Sequence, residues 1–301
     1  MPRFCLLRKA RTIMFETLLL ATVVHLAAQS LHTAEHSDWP PEFYVFCMDV
    51  PAVKDPSIPA QADLLAKLGF DGAGYPLWFG EELNKNLSAL DQAGLQLYLA
   101  YLPIKLNADR PALDPRLPEV FAKLEGRPTT VSVLLQGFPP GDPRGMKPAV
   151  KLLRQLGDLA ADSNLRISIY HHLNNWTESL LFAIDVVEKV DHPRVGFNFN
   201  LCHWLKVDGD KDYRPVLRKH ADKLFAVLIN GARRDADTWT RGLIQPLDRG
   251  DFSNGELLQL LQQIGYDGSV GLMCFGIPDD TRLHLQRSMQ VWKSWHAGKS
   301  K

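Results

Sequence analysis

The sequence predicts one α/β domain, a (β/α)8 TIM barrel with eight parallel strands, on three observations. Eight short runs rich in β-branched and aromatic residues alternate with longer stretches of helical periodicity. The same helix-to-strand joint occurs near both ends of that alternation. A chain of 301 residues also holds a barrel of about 250 residues with a short extension to spare.

The runs are YVFCMDV (44–50), GAGYPLW (72–78), LQLYLAYLP (95–103), TTVSVLLQG (129–137), LRISIYHH (165–172), VGFNFNLCHW (195–204), LFAVLING (224–231) and GSVGLMCFG (268–276). They are apolar on both faces, as strands of a parallel sheet covered by helices must be. Between them, stretches such as QADLLAKLGF, AVKLLRQLGDLAADSN and NGELLQLLQQIGY place apolar residues three and four apart, the mark of a helix packed by one face. The repeated joint is AKLGFDGAG (66–74) and QQIGYDGSVG (262–271). In each, Gly follows the last helical turn, where a left-handed residue ends a helix cheaply, and Asp-Gly leads into a strand. A doubly wound open sheet would carry a glycine-rich phosphate loop after its first strand. CMDVPAVKDPS is no such loop.

The first forty residues read differently. Basic RFCLLRKAR, apolar TLLLATVVHLAAQS and polar LHTAEHSDWPPE follow one another as in a secretory leader, with Ala28 and Ser30 as a small-x-small cleavage pattern. Glu16 sits badly in that leader, and a start at Met14 would remove most of its basic region. The expected organisation is a leader at 1–30, a linker at 31–43, the barrel at 44–296 and a tail at 297–301. Export to a periplasmic or extracellular space follows if the leader functions, and a cytoplasmic location otherwise. The apolar stretch is short for a membrane span. Without the leader the cysteines are Cys47, Cys202 and Cys274, an odd number inside apolar runs, which reads as buried thiols and not as a disulfide framework.

Lys plus Arg and Asp plus Glu each number 34, so no net charge favours nucleic acid or an anionic membrane. A small neutral or singly charged ligand suits the chain better. In a TIM barrel the site lies where strands end and βα loops begin. Those ends carry Met48 and Asp49; Tyr75 and Trp78; Tyr101 and Lys105; Gln136; Tyr170, His171 and His172; Asn200 and His203; Asn230 and Arg233; and Cys274 and Phe275. Aromatic faces pack on sugar C–H surfaces while Asn, Gln and His orient hydroxyls. The residues expected to bind substrate are Tyr170, Asn200, Asn230, Gln136, Arg233 and Trp78.

Adjacent His171 and His172 on a strand point to opposite sides, and the step of two puts His172 with Tyr170 on the inner face. The alternative makes both histidines ordinary hydrogen-bonding residues at a strand end. Asn200 and His203 are ambiguous in the same way: Asn is a weak ligand for a hard cation, and equally a residue that caps a turn. Asn230-Gly231 reads as a turn, and Cys274 as a buried hydrophobe with no basic neighbour to activate it.

Taken together, FCMDV, KLGFDGAGY, ISIYHH, VGFNFNLCHW, LFAVLINGA and LDRGDFSNGELLQLLQQIGYDGSVGLMCFG resemble the xylose-isomerase-like TIM barrels, the sugar phosphate isomerase/epimerase superfamily that also includes endonuclease IV. The resemblance spans nearly all of 44–295. It implies a divalent metal (Mn, Zn or Mg) held by Glu, Asp, His and Glu at the ends of the last four strands. Carried over, these positions fall on Tyr170, Asn200, the vicinity of Leu228, and Cys274, so none is retained. His172 and His203 do match histidines that contact metal or substrate in many members. On this resemblance His172, His203 and Asn200 are the candidate metal ligands.

The resemblance also implies proton transfer next to a carbonyl in a carbohydrate or polyol, with His172 and His203 as the catalytic candidates, their ordinary pKa near 6.5 suiting that role. The competing reading is a non-catalytic carbohydrate-binding barrel with a degenerate metal site. Phosphodiester cleavage is disfavoured, since it wants several metals and a basic groove.

Overall fold

The computed structural model describes residues 39, 41–46, 55–106 and 113–296. The leader, most of the linker, the tail and the candidates Cys5, Cys47, Met48 and Asp49 lie outside the described residues. Strands β1 (Phe43–Phe46), β2 (Gly72–Pro76), β3 (Gln96–Lys105), β4 (Thr130–Gln136), β5 (Arg166–Ile169), β6 (Val195–Asn200), β7 (Leu224–Ile229) and β8 (Val270–Met273) form a closed barrel in chain order. All pairings are parallel, and β1 closes on β8 in the register Phe43–Val270 to Phe46–Met273. Among the described residues no helix is long and apolar enough to cross a membrane.

Helices α1 (Ile58–Leu68), α2 (Gly80–Gln92), α3 (Leu117–Leu124), α4 (Met146–Asp162), α5 (Leu180–Val190), α6 (Leu201–Asp208), α7 (Tyr213–Lys219), α8 (Asn254–Gln263) and α9 (Thr281–His296) accompany the strands. Their ends follow local chemistry. Ser57, Ser179 and Ser253 each accept a backbone N–H at the start of α1, α5 and α8, satisfying a donor the helix leaves bare. The two repeated joints end as expected on left-handed glycines, Gly69 at φ 85° and Gly265 at φ 70°. The Asp-Gly that follows is no turn in the first joint: Gly72 already belongs to β2, and Asp71 accepts the Phe43 N–H at 2.8 Å, tying β1 to the incoming strand.

The barrel interior is filled by Tyr44, Phe46, Tyr98, Leu134, Tyr170, Leu228 and Met273. Tyr44 and Tyr98 stack at 5.5 Å. Glycine supplies the room they need: a Cβ on Gly271 would lie against Leu228 and 2.6 Å from the Tyr44 ring.

The expected sixth run is corrected by the structure. Residues 195–204 do not form one strand: β6 stops at Asn200 and α6 begins at Leu201 without a connecting loop. Leu201, Cys202, His203, Trp204 and Leu205 are all buried, so the run is apolar for two different structures in succession, which periodicity alone cannot separate. The fifth run ends similarly early, leaving Tyr170, His171 and His172 in the loop beyond β5.

Gly271→Ala is expected to lower unfolding free energy by about 1–3 kcal/mol through overpacking. Gly255→Ala, on α8 with open space around the added methyl, is expected to raise it by up to about 1 kcal/mol. Urea denaturation of both variants checks the pair.

Candidate functional site

At the C-terminal ends of the strands lies a cavity of about 250 Å³. Its walls come from Phe46 at the end of β1, Tyr101 on β3, Leu134 on β4, Tyr170 and His172 after β5, Cys202 and His203 on α6, Trp239 and Ile244 from the β7–α8 loop, and Met273 and Phe275 at β8. No Asp, Glu, Lys or Arg is among these residues. The cavity is therefore a mostly apolar, aromatic chamber with a few convergent polar atoms.

Two loops build those atoms into place. The segment after β5 is pinned by Trp176, fully buried, whose N–H reaches the Leu135 carbonyl at 2.9 Å and whose indole N–H reaches the Asp142 carbonyl at 2.7 Å. Within it the His172 N–H donates to the Thr177 carbonyl at 3.1 Å, and Asn174 takes the left-handed turn at φ 66°. Leu173 is thereby held between two imidazoles. Its carbonyl lies 2.8 Å from His172 Nδ1, and its N–H lies 3.4 Å from His203 Nδ1. The two rings are 4.0 Å apart between centroids, and each packs edge-on to Tyr170, at 5.7 and 5.8 Å.

The second loop runs from β7 to α8. Asn230 is buried and donates from Nδ2 to the Leu243 carbonyl at 2.7 Å and to the Gly231 carbonyl at 2.8 Å, while Gly231 and Gln245 exchange backbone hydrogen bonds. This fastening carries Ile244 and Trp239 to the cavity, where the Trp239 ring stands 5.3 Å from His203.

The expected site residues thus separate. Tyr170, His172 and His203 come together on one wall. Asn200 is fully buried behind them: its Nδ2 donates to the Tyr170 hydroxyl at 2.6 Å, and its Oδ1 accepts the Cys202 thiol at 3.0 Å. Asn230 fastens a loop instead of facing the cavity. Gln136 points to Asn175 at 3.4 Å. Trp78 packs on Tyr75 at 4.9 Å, and Tyr75 itself is drawn to Gln61 on α1 at 2.9 Å. Arg233 is exposed beside Asp235 at 3.7 Å, and Lys105 is exposed as well. Trp239 and Ile244 escaped the strand-end reading because they lie in the middle of a long loop; a tryptophan isolated in polar DADTWTRG was the available signal.

Burial sets the protonation of the wall. It lowers the pKa of His172, and it lowers that of His203 well below the usual histidine range, with the neighbouring histidines adding to the effect. The thiol of Cys202 is pushed up to about 12, and the Tyr170 phenol well above its ordinary value, both by burial. At neutral pH every one of these groups is uncharged.

That donor set does not fit a divalent ion. Among the described residues no group of three or more His, Cys, Asp or Glu is gathered to hold a metal. Both amide atoms of Asn200 are spent on Tyr170 and Cys202, and both histidine Nδ1 atoms face Leu173. What remains is two neutral Nε2 atoms, with no anion among the described residues of the cavity wall to neutralise a dication.

The sequence profile of the family described as xylose isomerase-like TIM barrel matches residues 62–295. No curated protein matches the chain. Among solved structures, the probable 3-DHS dehydratase AsbF from Bacillus anthracis, involved in petrobactin synthesis, is 16% identical over 84% of this chain and 98% of its own, with a TM-score of 0.67. The D-allulose 3-epimerase from Methylomonas sp. is 16% identical over 85% of this chain and 98% of its own, with a TM-score of 0.65. The IOLI protein, solved with a bound zinc atom, is 14% identical over 85% of this chain and 97% of its own, with a TM-score of 0.62. At such identities the likeness is one of fold.

His171, His203 and His284 have pKa values lowered mainly by burial, His171 and His284 to about 4. Between about 6.5, the unfolded value, and these folded values, the unfolded chain binds protons that the folded chain refuses. Stability therefore falls as pH falls through this window. Urea midpoints measured from pH 7 down to 4 are expected to decline steadily, with a shallower decline in His171→Asn.

Proposed function

The chain belongs to the xylose isomerase-like TIM barrel family, and from that premise we propose that it is a sugar isomerase or epimerase-like protein. Its substrate is a small carbohydrate or polyol bearing a carbonyl, and the reaction moves a proton at the adjoining carbon. The observation that carries this reading is the His172–His203 pair, 4.0 Å apart, on the wall of the cavity at the catalytic end of the barrel. Phe46, Tyr101, Trp239 and Phe275 supply aromatic surface for C–H faces of a sugar ring or chain. The fold likeness to D-allulose 3-epimerase supports the substrate class. A neutral imidazole on that wall has a lone pair free to take a proton at neutral pH, and general-base catalysis of this kind contributes about 10²–10⁴-fold.

One observation favours a second reading. Among the described residues the cavity holds no carboxylate, and carboxylates are the usual bases of the resembling family. A carbohydrate-binding barrel would need only the aromatic walls and the polar wall.

Incubation of the protein with D-fructose, D-allulose and D-tagatose in D2O, followed by proton NMR, separates the two. Deuterium entering the carbon next to the carbonyl is expected, and His172→Asn is expected to slow it by about 100-fold or more. Saturable sugar binding with no deuterium incorporation and no product would favour the binding module.

A further inference from the structure

The polar wall has a direction that follows from its hydrogen bonds. A neutral imidazole carries one proton, and the partner of one nitrogen decides which. The Leu173 carbonyl, 2.8 Å from His172 Nδ1, can only accept, so His172 carries its proton on Nδ1 and has a bare Nε2. The Leu173 N–H, 3.4 Å from His203 Nδ1, can only donate, so His203 has a bare Nδ1 and carries its proton on Nε2. One peptide thus sets two neighbouring histidines in opposite tautomers. Tyr170 follows the same logic: its oxygen accepts from Asn200 Nδ2 at 2.6 Å, and its own hydrogen has no acceptor among the described residues. Asn200 is held in that orientation by the Cys202 thiol on its Oδ1 at 3.0 Å.

We propose that this wall is a metal-free proton-transfer site in which His172 Nε2 is the base, while Tyr170 O–H and His203 Nε2–H are the donors that hold the oxyanion. The proposal rests on the carbonyl-substrate reading above and assigns its machinery. In the step, the C–H bond next to the substrate carbonyl breaks and its proton passes to His172 Nε2. The electron pair forms the carbon–carbon double bond, and the carbonyl π pair moves to oxygen, giving an enolate. Tyr170 and His203 donate hydrogen bonds to that oxygen without surrendering their protons, since either transfer would leave a buried anion. The new imidazolium of His172 lies beside the enolate and delivers the proton to the former carbonyl carbon, while the hydroxyl proton of the first carbon passes to the enolate oxygen, so that the carbonyl moves by one carbon. Charge is created and cancelled within one small cavity, and no cation is required. In an apolar chamber such donors are stronger than in water.

The first test reads the tautomers. Long-range proton–nitrogen NMR of the full-length, histidine-labelled protein with EDTA at pH 7, assigned with His172→Gln and His203→Gln, is expected to find His172 protonated at Nδ1 and His203 at Nε2. Added Zn²⁺ at equimolar concentration is expected to leave both rings unchanged. The same tautomer in both rings, an imidazolium in either, or coordinated Zn²⁺ would overturn the proposal.

The second test uses whichever ketose exchanges deuterium. EDTA is expected to leave its exchange rate unchanged, and Tyr170→Phe to lower it by about 100- to 1,000-fold with little change in KM. Exchange abolished by EDTA would keep the carbonyl-substrate reading and sink the metal-free site. Opposite tautomers without exchange of any ketose would keep the tautomer arrangement and sink that substrate reading.

Discussion

The hydrogen bond from Asn200 to the Tyr170 hydroxyl is the contact on which the mouth of this barrel depends. It joins the end of β6 to the segment beyond β5. With an amide and a phenol there, two neutral groups satisfy one another in a fully buried setting. Two carboxylates at that depth would each need a cation or a proton to be tolerated. The rest of the wall is consistent with that choice: a thiol on the far side of the amide, and two imidazoles that stay neutral because burial disfavours their charged forms.

A wall of neutral groups suits its surroundings. Aromatic and aliphatic side chains occupy the remaining lining, and the loop that brings Trp239 and Ile244 is fastened by Asn230 at its root. Against apolar walls a few oriented dipoles act with more force than the same dipoles in bulk solvent. Two fasteners shape the chamber: Trp176 beneath the first loop and the Gly231–Gln245 bridge beneath the second. The site is therefore preorganised by backbone geometry more than by charge.

The fold was legible because each strand is buried on both faces, which leaves eight apolar runs punctuated by helical periodicity. The left-handed glycines at 69 and 265 were legible for a local reason, the conformation itself. The β6–α6 boundary was not, since burial is continuous across it. Asking what lies at strand ends named Tyr170, His172 and His203, which the structure places on the cavity wall. That question also returned Trp78, Gln136, Asn230 and Arg233, because position along the chain does not say which way a side chain turns after the strand stops. Hydrogen-bond demand decided it: the Asn230 amide nitrogen is taken by the loop it anchors, and both amide atoms of Asn200 by its neighbours. Trp239 lay beyond reach of that method, in a loop whose path is set by tertiary contacts.

Metal content tests the central claim most directly. Full-length protein purified without an affinity tag or chelator, and again after dialysis against Mn²⁺, Zn²⁺ and Mg²⁺ in turn, would be measured by elemental analysis beside the His172→Asn, His203→Asn double variant. A neutral wall calls for no stoichiometric ion in either protein under any of these conditions. One tightly held ion per chain, lost in the double variant, would contradict it and return the histidines to the role of ligands.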